Sequence, residues 1–362
     1  MSPSPLFAGL MSGTSLDGVD AVLWSPNSGV TAHRFEAFDP ALQSQLLRLN
    51  QSGPDELHQA ALAANAVARA YAQVLRTLLE EAGARPQDVS AAGAHGQTVR
   101  HRPELGFTVQ LLNAALLAEL TGVDIVADLR SRDVAAGGQG APLVPAFHRA
   151  VFGRPDADIA VLNIGGMANL SLLPAQGPTG GFDTGPGNVL LDTWHRHHQG
   201  PAFDAGGCWA ATGRVLPDLL ARWQSEPFFS LPPPRSTGRD LFDWTWLQQQ
   251  VLRSFSPADV QATLAELTAW SIADALNRAQ PATNELIVCG GGAFNLDLLH
   301  RLQRHLPQLQ VVTSDRRGLP PMQVEATAFA WLAARFTARE PGNLVCVTGA
   351  QGPRILGALY PA

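Results

Sequence analysis

Apolar and polar residues follow one another in blocks that predict strands alternating with helices. Apolar runs at 6–10 and 19–24 predict two strands joined by the polar, glycine-rich loop MSGTSLDG, and therefore a hairpin. The helical spacing of apolar residues over 57–81 predicts a long amphipathic helix that ends before Gly83 and Pro86. Short apolar runs at 89–94 and 124–127 predict further strands. The stretch 134–142, VAAGGQGAP, has no periodicity and predicts a crossover between two halves.

The second half begins with the same pattern as the first. Residues 158–173, DIAVLNIGGMANLSLL, again predict a strand, a glycine turn and a second strand. Later, 285–289 predicts a strand that runs into three glycines, and 324–336 predicts a helix. This weak internal repeat predicts duplicated α/β domains, residues 1–135 and 136–362, that face each other across a cleft. The extreme C-terminus is the segment free to pack back on the first domain.

Composition narrows the class of protein. The 362 residues are 46% hydrophobic and 15% charged, which predicts a globular protein of about two domains. A net charge of −6 predicts no nucleic-acid partner. No apolar stretch approaches the roughly 20 residues of a membrane span, so we expect no membrane partner. Three scattered cysteines without CxxC spacing, and an N-terminus without signal-peptide regions, favour the cytoplasm.

The sequence contains no lysine, so all 25 Lys+Arg residues are arginine. This excludes a P-loop, which needs a lysine at the outer phosphates of a nucleotide. It also excludes a pyridoxal Schiff base and a Ser-Lys pair.

Three glycine-rich turns, at 12–20, 165–169 and 290–295, follow predicted strands. Glycines there let backbone N–H groups approach phosphate oxygens. Thr14 and Ser15 add hydroxyl donors, and Asp17 and Asp20 are suited to hold Mg²⁺ directly or through its waters. One such loop alone also fits an ordinary hairpin turn. Three of them favour a nucleotide site over a dinucleotide (Rossmann) site, because no GxGxxG lies between a strand and a helix.

These turns belong to a longer set of matching stretches. The duplicated strand–turn–strand plan resembles the ATPase domain shared by actin, Hsp70 and hexokinase-type sugar kinases. Within that superfamily the chain closely resembles the anhydro-N-acetylmuramic acid kinase family. The resembling stretches are GLMSGTSLDGVDAVL (9–23), GAHGQTV (93–99), ADLRSRDVAAGGQGAPLVP (127–145), NIGGMANLS (163–171), GFDTGPGNVLLD (181–192), PPPRSTGRDLF (232–242), CGGGAFN (289–295) and VTGAQGPRILG (347–357).

The resemblance implies an α/β fold of duplicated actin/hexokinase-like ATPase domains with a nucleotide cleft between them. It implies an ATP- and Mg²⁺-dependent enzyme of cell-wall recycling, and a homodimer. Such an enzyme opens the 1,6-anhydro ring of anhydro-N-acetylmuramic acid with water and phosphorylates O6, which gives N-acetylmuramic acid 6-phosphate.

The resemblance also implies the nucleotide-binding residues. Arg235 and Asp240 stand where the family pattern leads us to expect lysine and glutamate, and we expect neither residue to touch the chemistry. The implied sets are a phosphate loop of Gly13, Thr14, Ser15, Leu16, Asp17, Gly18, Val19 and Asp20, a second phosphate turn of Gly165, Gly166 and Asn169, and an adenosine side of Gly290, Gly291, Gly292 and Asn295.

Ring opening by water calls for a general base, as in an inverting glycosidase. We expect Asp183, in GGFDTGPGN, to be this base, since it follows a predicted strand and precedes a sharp bend. Glu325, at the start of a predicted helix, is the candidate for a second carboxylate near the attacking water. The alternatives are a capping or turn aspartate and a first-turn glutamate favoured by the helix dipole.

Substrate contacts are predicted where strands end. His95, Gln97 and Thr98 follow one predicted strand, and Asp128 and Arg130 follow another. Arg130 either pairs with the lactyl carboxylate of the muramic sugar or forms an ion pair with Asp128 or Asp133.

A metal site and two other functions compete with these predictions. The run HRHH at 195–198 suggests a metal site, but a solvated helix face is favoured because no third ligand is evident. An actin- or Hsp70-like ATP switch would bind a protein and hydrolyse ATP without a sugar. A glycosidase using Asp183 and Glu325 would leave the glycine turns unexplained. A kinase explains both features.

Overall fold

The computed structural model describes residues 4–13, 15–233, 235–238, 241–251 and 255–362, which fall into two compact units. The first unit combines Met1–Phe147 with Gln323–Ala362, and the second is His148–Met322. The division therefore lies at 147 rather than at the predicted 135. The stretch 134–142 lies inside the first unit, where Gln139 N donates to Thr348 O at 2.7 Å and Gln351 N donates to Ala136 O at 2.8 Å.

The first unit is built around a sheet with strand order β13-β7-β4-β1-β2-β3. Its strands are β1 (Leu6–Met11), β2 (Gly18–Ser25), β3 (Gly29–Ala37), β4 (Val89–Ala94), β7 (Ile125–Ala127) and β13 (Ala358–Tyr360), beside a separate hairpin of β5 (Gln97–Arg102) and β6 (Phe107–Leu111). Its helices are α1 (Pro40–Leu49), α2 (Glu56–Ala82), α3 (Ala114–Thr121), α4 (Ser131–Ala135), α5 (Val144–Phe152, which continues into the second unit), α11 (Val324–Thr337) and α12 (Val345–Thr348).

The second unit is built around a sheet with strand order β10-β9-β8-β11-β12. Its strands are β8 (Ile159–Ile164), β9 (Met167–Leu173), β10 (Gly180–Pro186), β11 (Glu285–Cys289) and β12 (Gln310–Thr313), and its helices are α6 (Val189–Gln199), α7 (Pro217–Gln224), α8 (Trp244–Gln250), α9 (Pro257–Ala279) and α10 (Leu296–His305).

Five strands of each sheet share one topology, and the first sheet has β13 in addition, antiparallel to β7 at its edge. In each, three antiparallel strands (β1-β2-β3 and β8-β9-β10) are followed by two strands parallel to the first (β4 and β7, β11 and β12). The predicted α/β class and the duplicated plan are therefore confirmed.

Alternation along the strands explains why helices cover both faces of the first sheet. Ala8 and Leu10 point into a core with α2, whereas Phe7 packs against α11 on the other face. The sheet and α11 approach closely at Gly9 and Gly93, where a methyl group would overlap backbone atoms of Ala326 and Phe329. Among the described residues, neither the 27-residue α2 nor any other helix is apolar enough over its length to cross a bilayer.

Candidate active site

The loop that joins β1 to β2 has the geometry of a tight turn. Met11 and Asp20 are paired across the two strands, so the loop projects from the end of the hairpin. Leu16 N donates to Gly13 O at 3.2 Å, and Leu16 has a positive φ of 60° while its side chain is buried. Thr14 lies outside the described residues. The buried Leu16 side chain anchors the turn, while Ser15 and Asp17 on either side of it are exposed.

The glycines of the three turns divide into two groups. A methyl group at Gly18 would overlap Glu36 O on β3, and methyl groups at Gly290 and Gly292 would overlap Ile164 or its neighbour Asn163. Packing therefore explains these three glycines. At four other glycines, by contrast, an added methyl group would have room. Outside the chain neighbours, the nearest described atom would lie 3.4 Å from it at Gly13, 3.6 Å at Gly165, 4.0 Å at Gly166 and 3.7 Å at Gly291. These four positions are open cradles where a ligand's phosphate oxygens can approach the backbone.

A buried hydroxyl pair holds the base of the first loop. Ser12 Oγ lies 2.7 Å from the hydroxyl of Tyr71 on α2 and donates to Gly96 O at 3.1 Å. Tyr71 lies 3.3 Å from the same carbonyl, and burial raises the pKa of its phenol. This cluster links the start of the phosphate loop, the start of the β5–β6 hairpin and the long helix.

The buried His95 and the half-buried Arg130 are joined by hydrogen bonds. Arg130 donates from Nε at 3.1 Å and from Nη2 at 3.0 Å to Nε2 of His95. Because arginine has no acceptor, Nε2 carries no proton, and Nδ1–H donates to Ser12 O at 3.3 Å. Burial, with the charge of Arg130 second, lowers the pKa of His95 to about 3, so the ring stays neutral. Among the described ion pairs, none joins Arg130 to Asp128 or Asp133.

The other predicted substrate residues have different surroundings. Gln97 Nε2 donates to Gly13 O at 3.1 Å, while its buried Oε1 has no partner within the described residues. Thr98 Oγ1 accepts from Gln110 Nε2 at 3.2 Å within the β5–β6 hairpin. Asp128 is exposed, with a φ of 55°. Gln97 therefore offers a free acceptor beside the phosphate loop.

The carboxyl of Glu325 lies in the field of two aspartates of the first unit. Glu325, in the first turn of α11, is half-buried, and burial raises its pKa, as do the charges of Asp20 and Asp17, while Arg130 lowers it. Asp17 accepts from Ser15 Oγ, and Asp20 Oδ1 lies 3.0 Å from Nε2 of His33.

These carboxylates fit a metal ion only through its water shell. Among the described residues, no group of three or more His, Cys, Asp or Glu side chains is arranged to ligate an ion directly. Asp17 and Asp20 supply the hard oxygen atoms that Mg²⁺ prefers, and the exposed Asp17 leaves room for its water shell. The residues therefore fit a hydrated Mg²⁺.

Asp183 lies inside β10, not after a strand as predicted. A register shift between Asp183 and Gly185 marks a bulge there. Its Oδ2 accepts from Ser236 Oγ and from Thr237 N, each at 3.0 Å. Burial raises the pKa of this half-buried carboxyl, and the two hydrogen bonds and Arg235 lower it. Oδ1 accepts no hydrogen bond within the described part of the chain.

The second predicted phosphate turn is shorter than expected. Residues 165 and 166 form it, and their carbonyls accept from the backbone N–H groups of Gly187, Asn188 and Val189 at the start of α6. Asn169 belongs to β9 instead, directly opposite Asp183 on β10 and Asn163 on β8. A row of polar residues thus crosses three strands on one face of the sheet, because opposite residues point to the same side.

The stretch around Arg235 reaches Asp183, contrary to our expectation. Asp183 N donates to Arg235 O, and Arg235 Nε donates to Asp183 O, each at 3.0 Å. The guanidinium also lies over the rings of Phe228 and Phe182, with centroid distances of 5.0 and 5.6 Å. Asp240, the second departure from the family pattern, lies outside the described residues.

The third turn is a 3-10 turn, Gly291–Phe294, that begins after β11. Gly290 N donates to Pro321 O at 3.1 Å. Asn295 caps α10, since its Oδ1 accepts from Leu298 N at 3.0 Å. The capping bond engages the amide oxygen of Asn295, and no hydrogen bond of its Nδ2 is found among the described residues.

The histidine run lies on α6, as predicted, but only part of it is solvated. His197 and His198 are exposed, whereas His195 is 7% exposed, with Nδ1 lying 3.1 Å from Pro201 O. The helix turns His195 inward against Trp209.

Sequence reasoning missed several residues at the site: Tyr71, His33, Ser236 and Thr237. The signal for the last two was present, since RSTG at 235–238 belongs to a stretch that resembles the family. Tyr71 and His33 come from a helix and a strand with no motif.

Comparisons with known proteins agree along the whole chain. A model of the anhydro-N-acetylmuramic acid kinase family matches residues 5–362. The anhydro-N-acetylmuramic acid kinase of Variovorax paradoxus (strain S110) is 56% identical over 99% of this chain and 99% of its own. That of Bordetella petrii is 57% identical over 100% of this chain and 97% of its own.

Proposed function

Because the chain belongs to the anhydro-N-acetylmuramic acid kinase family, we propose that Asp183 and Glu325 are the carboxylates that act on the water of its reaction. The chain is an ATP-dependent kinase of anhydro-N-acetylmuramic acid, a phosphotransferase of peptidoglycan recycling. The observation that carries the assignment is the Asp183 carboxylate, which is half-buried, held through one oxygen and open at the other.

The substrate has no free O6 hydroxyl, so two bond changes must be coupled. Water attacks the anomeric carbon, and Asp183 Oδ1 takes one of its protons. The bond from that carbon to O6 breaks, and its electron pair goes to O6 as O6 bonds to the γ-phosphorus of ATP. The bond from that phosphorus to ADP breaks and leaves its electrons on ADP. The products are N-acetylmuramic acid 6-phosphate and ADP.

Glu325, in the first turn of α11, is the second carboxylate of this proposal. Its pKa is raised by burial and by the neighbouring charges of Asp20 and Asp17, and lowered by Arg130. A carboxyl with a raised pKa is suited to exchange a proton near neutral pH.

The open glycines bind the phosphates of ATP in this proposal. Gly13, Gly166 and Gly291 present backbone N–H groups without a Cβ in the way, whereas the N–H of Gly165 already donates to Met167 O at 3.2 Å. Asp17 and Asp20 would hold Mg²⁺ through its waters, and the ion would neutralise phosphate charge.

Arg130 recognises the lactyl carboxylate in this proposal. Its bonds to His95 and to Gly140 O, the latter at 2.8 Å, fix the plane of the guanidinium and leave N–H groups on Nη1 and Nη2. Arginine is suited to a carboxylate because its donors form a planar fork. The free Oε1 of Gln97 accepts from a sugar hydroxyl or amide.

The test is ADP release with ATP, Mg²⁺ and 1,6-anhydro-N-acetylmuramic acid in ¹⁸O-labelled water, with the product mass read before the anomeric oxygen exchanges. We expect a 6-phosphate with one solvent oxygen, and loss of this product in Asp183→Asn. ADP release without sugar would instead favour an ATP switch. Labelled sugar without ADP would favour a glycosidase.

Assembly and location complete the proposal. A homodimer in the cytoplasm follows from the family resemblance and the cysteine pattern. Light scattering of the purified chain measures the mass, and a mass of one chain, 38.4 kDa, would contradict the dimer.

A further inference from the structure

The carboxylate of Asp183 is held asymmetrically. Both of its hydrogen bonds go to one oxygen, Oδ2, and come from adjacent residues: the Ser236 hydroxyl and the Thr237 backbone N–H, each at 3.0 Å. The other oxygen, Oδ1, accepts none within the described residues. Two donors on one oxygen fix the rotation of the carboxylate about its Cβ–Cγ bond, so Oδ1 has one direction.

The segment that supplies the donors is itself anchored. Arg235 exchanges two hydrogen bonds with the backbone of Asp183, and its Nη1 donates to Phe229 O and Leu231 O, each at 2.9 Å. The guanidinium is packed over the Phe228 ring. Because the planar guanidinium of Arg235 makes several hydrogen bonds, this side chain and the backbone beside it are held in one position. Ser236 and Thr237 are therefore presented at a fixed distance from the carboxylate.

We propose that Ser236 is a positioning residue for the Asp183 base: with the Thr237 N–H it holds Oδ2, aims Oδ1 at the attacking water and sets the basicity of the carboxylate. The proposal rests on the assignment of Asp183 as the base. It adds to that assignment a hydroxyl group that holds the base, that of Ser236, 53 residues further along the chain.

Among the described residues, the two hydrogen bonds counter the effect of burial on the pKa of this carboxyl most strongly. Burial raises its pKa, and the bonds from Thr237 and Ser236 lower it more than the charge of Arg235 does. Beyond Arg235, α9 contributes Asp274 and Arg278, which form an ion pair at 3.0 Å and act on Arg235. The neighbouring β9 and the turn Pro227–Ser230 carry no titratable side chain.

The test is the pH dependence of kcat/KM for the sugar at saturating ATP and Mg²⁺. Activity requires the ionised carboxylate, so it falls as the pH drops through the pKa of the base. Ser236→Ala removes a donor to the ionised form and raises that pKa. We expect the acidic limb to move upward by about 0.5–1 pH unit, the worth of one such hydrogen bond.

Three further variants make the result specific. Ser236→Thr keeps the hydroxyl and should restore the wild-type limb. Ser225→Ala removes another exposed serine hydroxyl, one that donates to Arg222 O, and should leave the limb unchanged. Asp183→Asn should be inactive at every pH, and thermal melts of all variants check folding.

The outcomes separate the two proposals. An active Asp183→Asn would overturn the assignment of the base, and the role of Ser236 with it. An inactive Asp183→Asn together with a folded Ser236→Ala whose limb stays within about 0.2 pH unit of wild type would overturn the role of Ser236 alone.

Discussion

The fully buried carboxylate of Asp133 provides the sharpest stability prediction. The side chain is 0% exposed and accepts from Gly140 N at 2.8 Å, Asn343 Nδ2 at 2.7 Å and Thr348 Oγ1 at 2.8 Å. It thereby ties the loop after α4 to the C-terminal segment of the same unit. The carbonyl of Gly140 in turn accepts a hydrogen bond from Arg130. The hydrogen bonds of Asp133 are therefore connected to one of the predicted substrate residues.

Asp133→Asn keeps the shape and replaces one oxygen by an NH₂ group. Whichever way the amide turns, N–H donors then face each other, either at Gly140 or at Asn343. One charge-assisted hydrogen bond is lost and one buried donor is left without a partner, at a combined cost of about 3 kcal/mol in the free energy of unfolding. For a unit of this size, that lowers the Tm by about 6–12 °C.

Circular dichroism and tryptophan fluorescence melts measure the change. The matched control is Asp128→Asn, which makes the same substitution at an exposed aspartate of the same unit and should stay within about 0.5 kcal/mol of wild type. The control should change the Tm by about 1 °C. A Tm for Asp133→Asn within about 2 °C of wild type would refute the reasoning.

Three further variants test the site. Tyr71→Phe removes the hydroxyl 2.7 Å from Ser12 Oγ and should lower the free energy of unfolding by about 1–2 kcal/mol; unchanged urea denaturation would contradict this. Gly13→Ala should raise KM for ATP at least tenfold with little change in Tm. Gly18→Ala should instead destabilise the fold by about 2 kcal/mol or more, because its methyl group overlaps β3. Steady-state kinetics and thermal melts that show the reverse pattern would argue against the open position at Gly13. Arg235→Lys, which loses the fork and most of the ring contact, should destabilise the protein by about 1–2 kcal/mol in urea denaturation, and a stable variant would show that the ammonium suffices.

Local patterns predicted most of the elements. The strands at 89–94 and 285–289 occur with the predicted bounds, and the helix predicted over 57–81 spans Glu56–Ala82 with Gly83 at its C-cap. These signals lie in the spacing of apolar residues and in the punctuation by glycine and proline, which are properties of neighbouring residues.

Contacts between distant residues were beyond such reasoning. Ser12 and Tyr71 are 59 residues apart, and Asp133 and Thr348 are 215 apart. Nothing in the local pattern of either partner indicates the other. The segment with Ser236 lies in the family-like stretch 232–242, but its proximity to Asp183 depends on the tertiary fold.

The close packing of α11 on Gly9 and Gly93 has a consequence for synthesis of the protein. The face of the first sheet that this helix covers, with Phe7, Val22 and Val126, is translated long before α11. At about 5–20 residues per second, the ribosome needs on the order of ten seconds or more to make the intervening second unit. Throughout that interval the nascent sheet has an apolar face without its helix, and it needs shelter from other chains. A fragment that ends at 147 would retain this exposed face permanently, so an isolated first unit requires the last 40 residues fused to it.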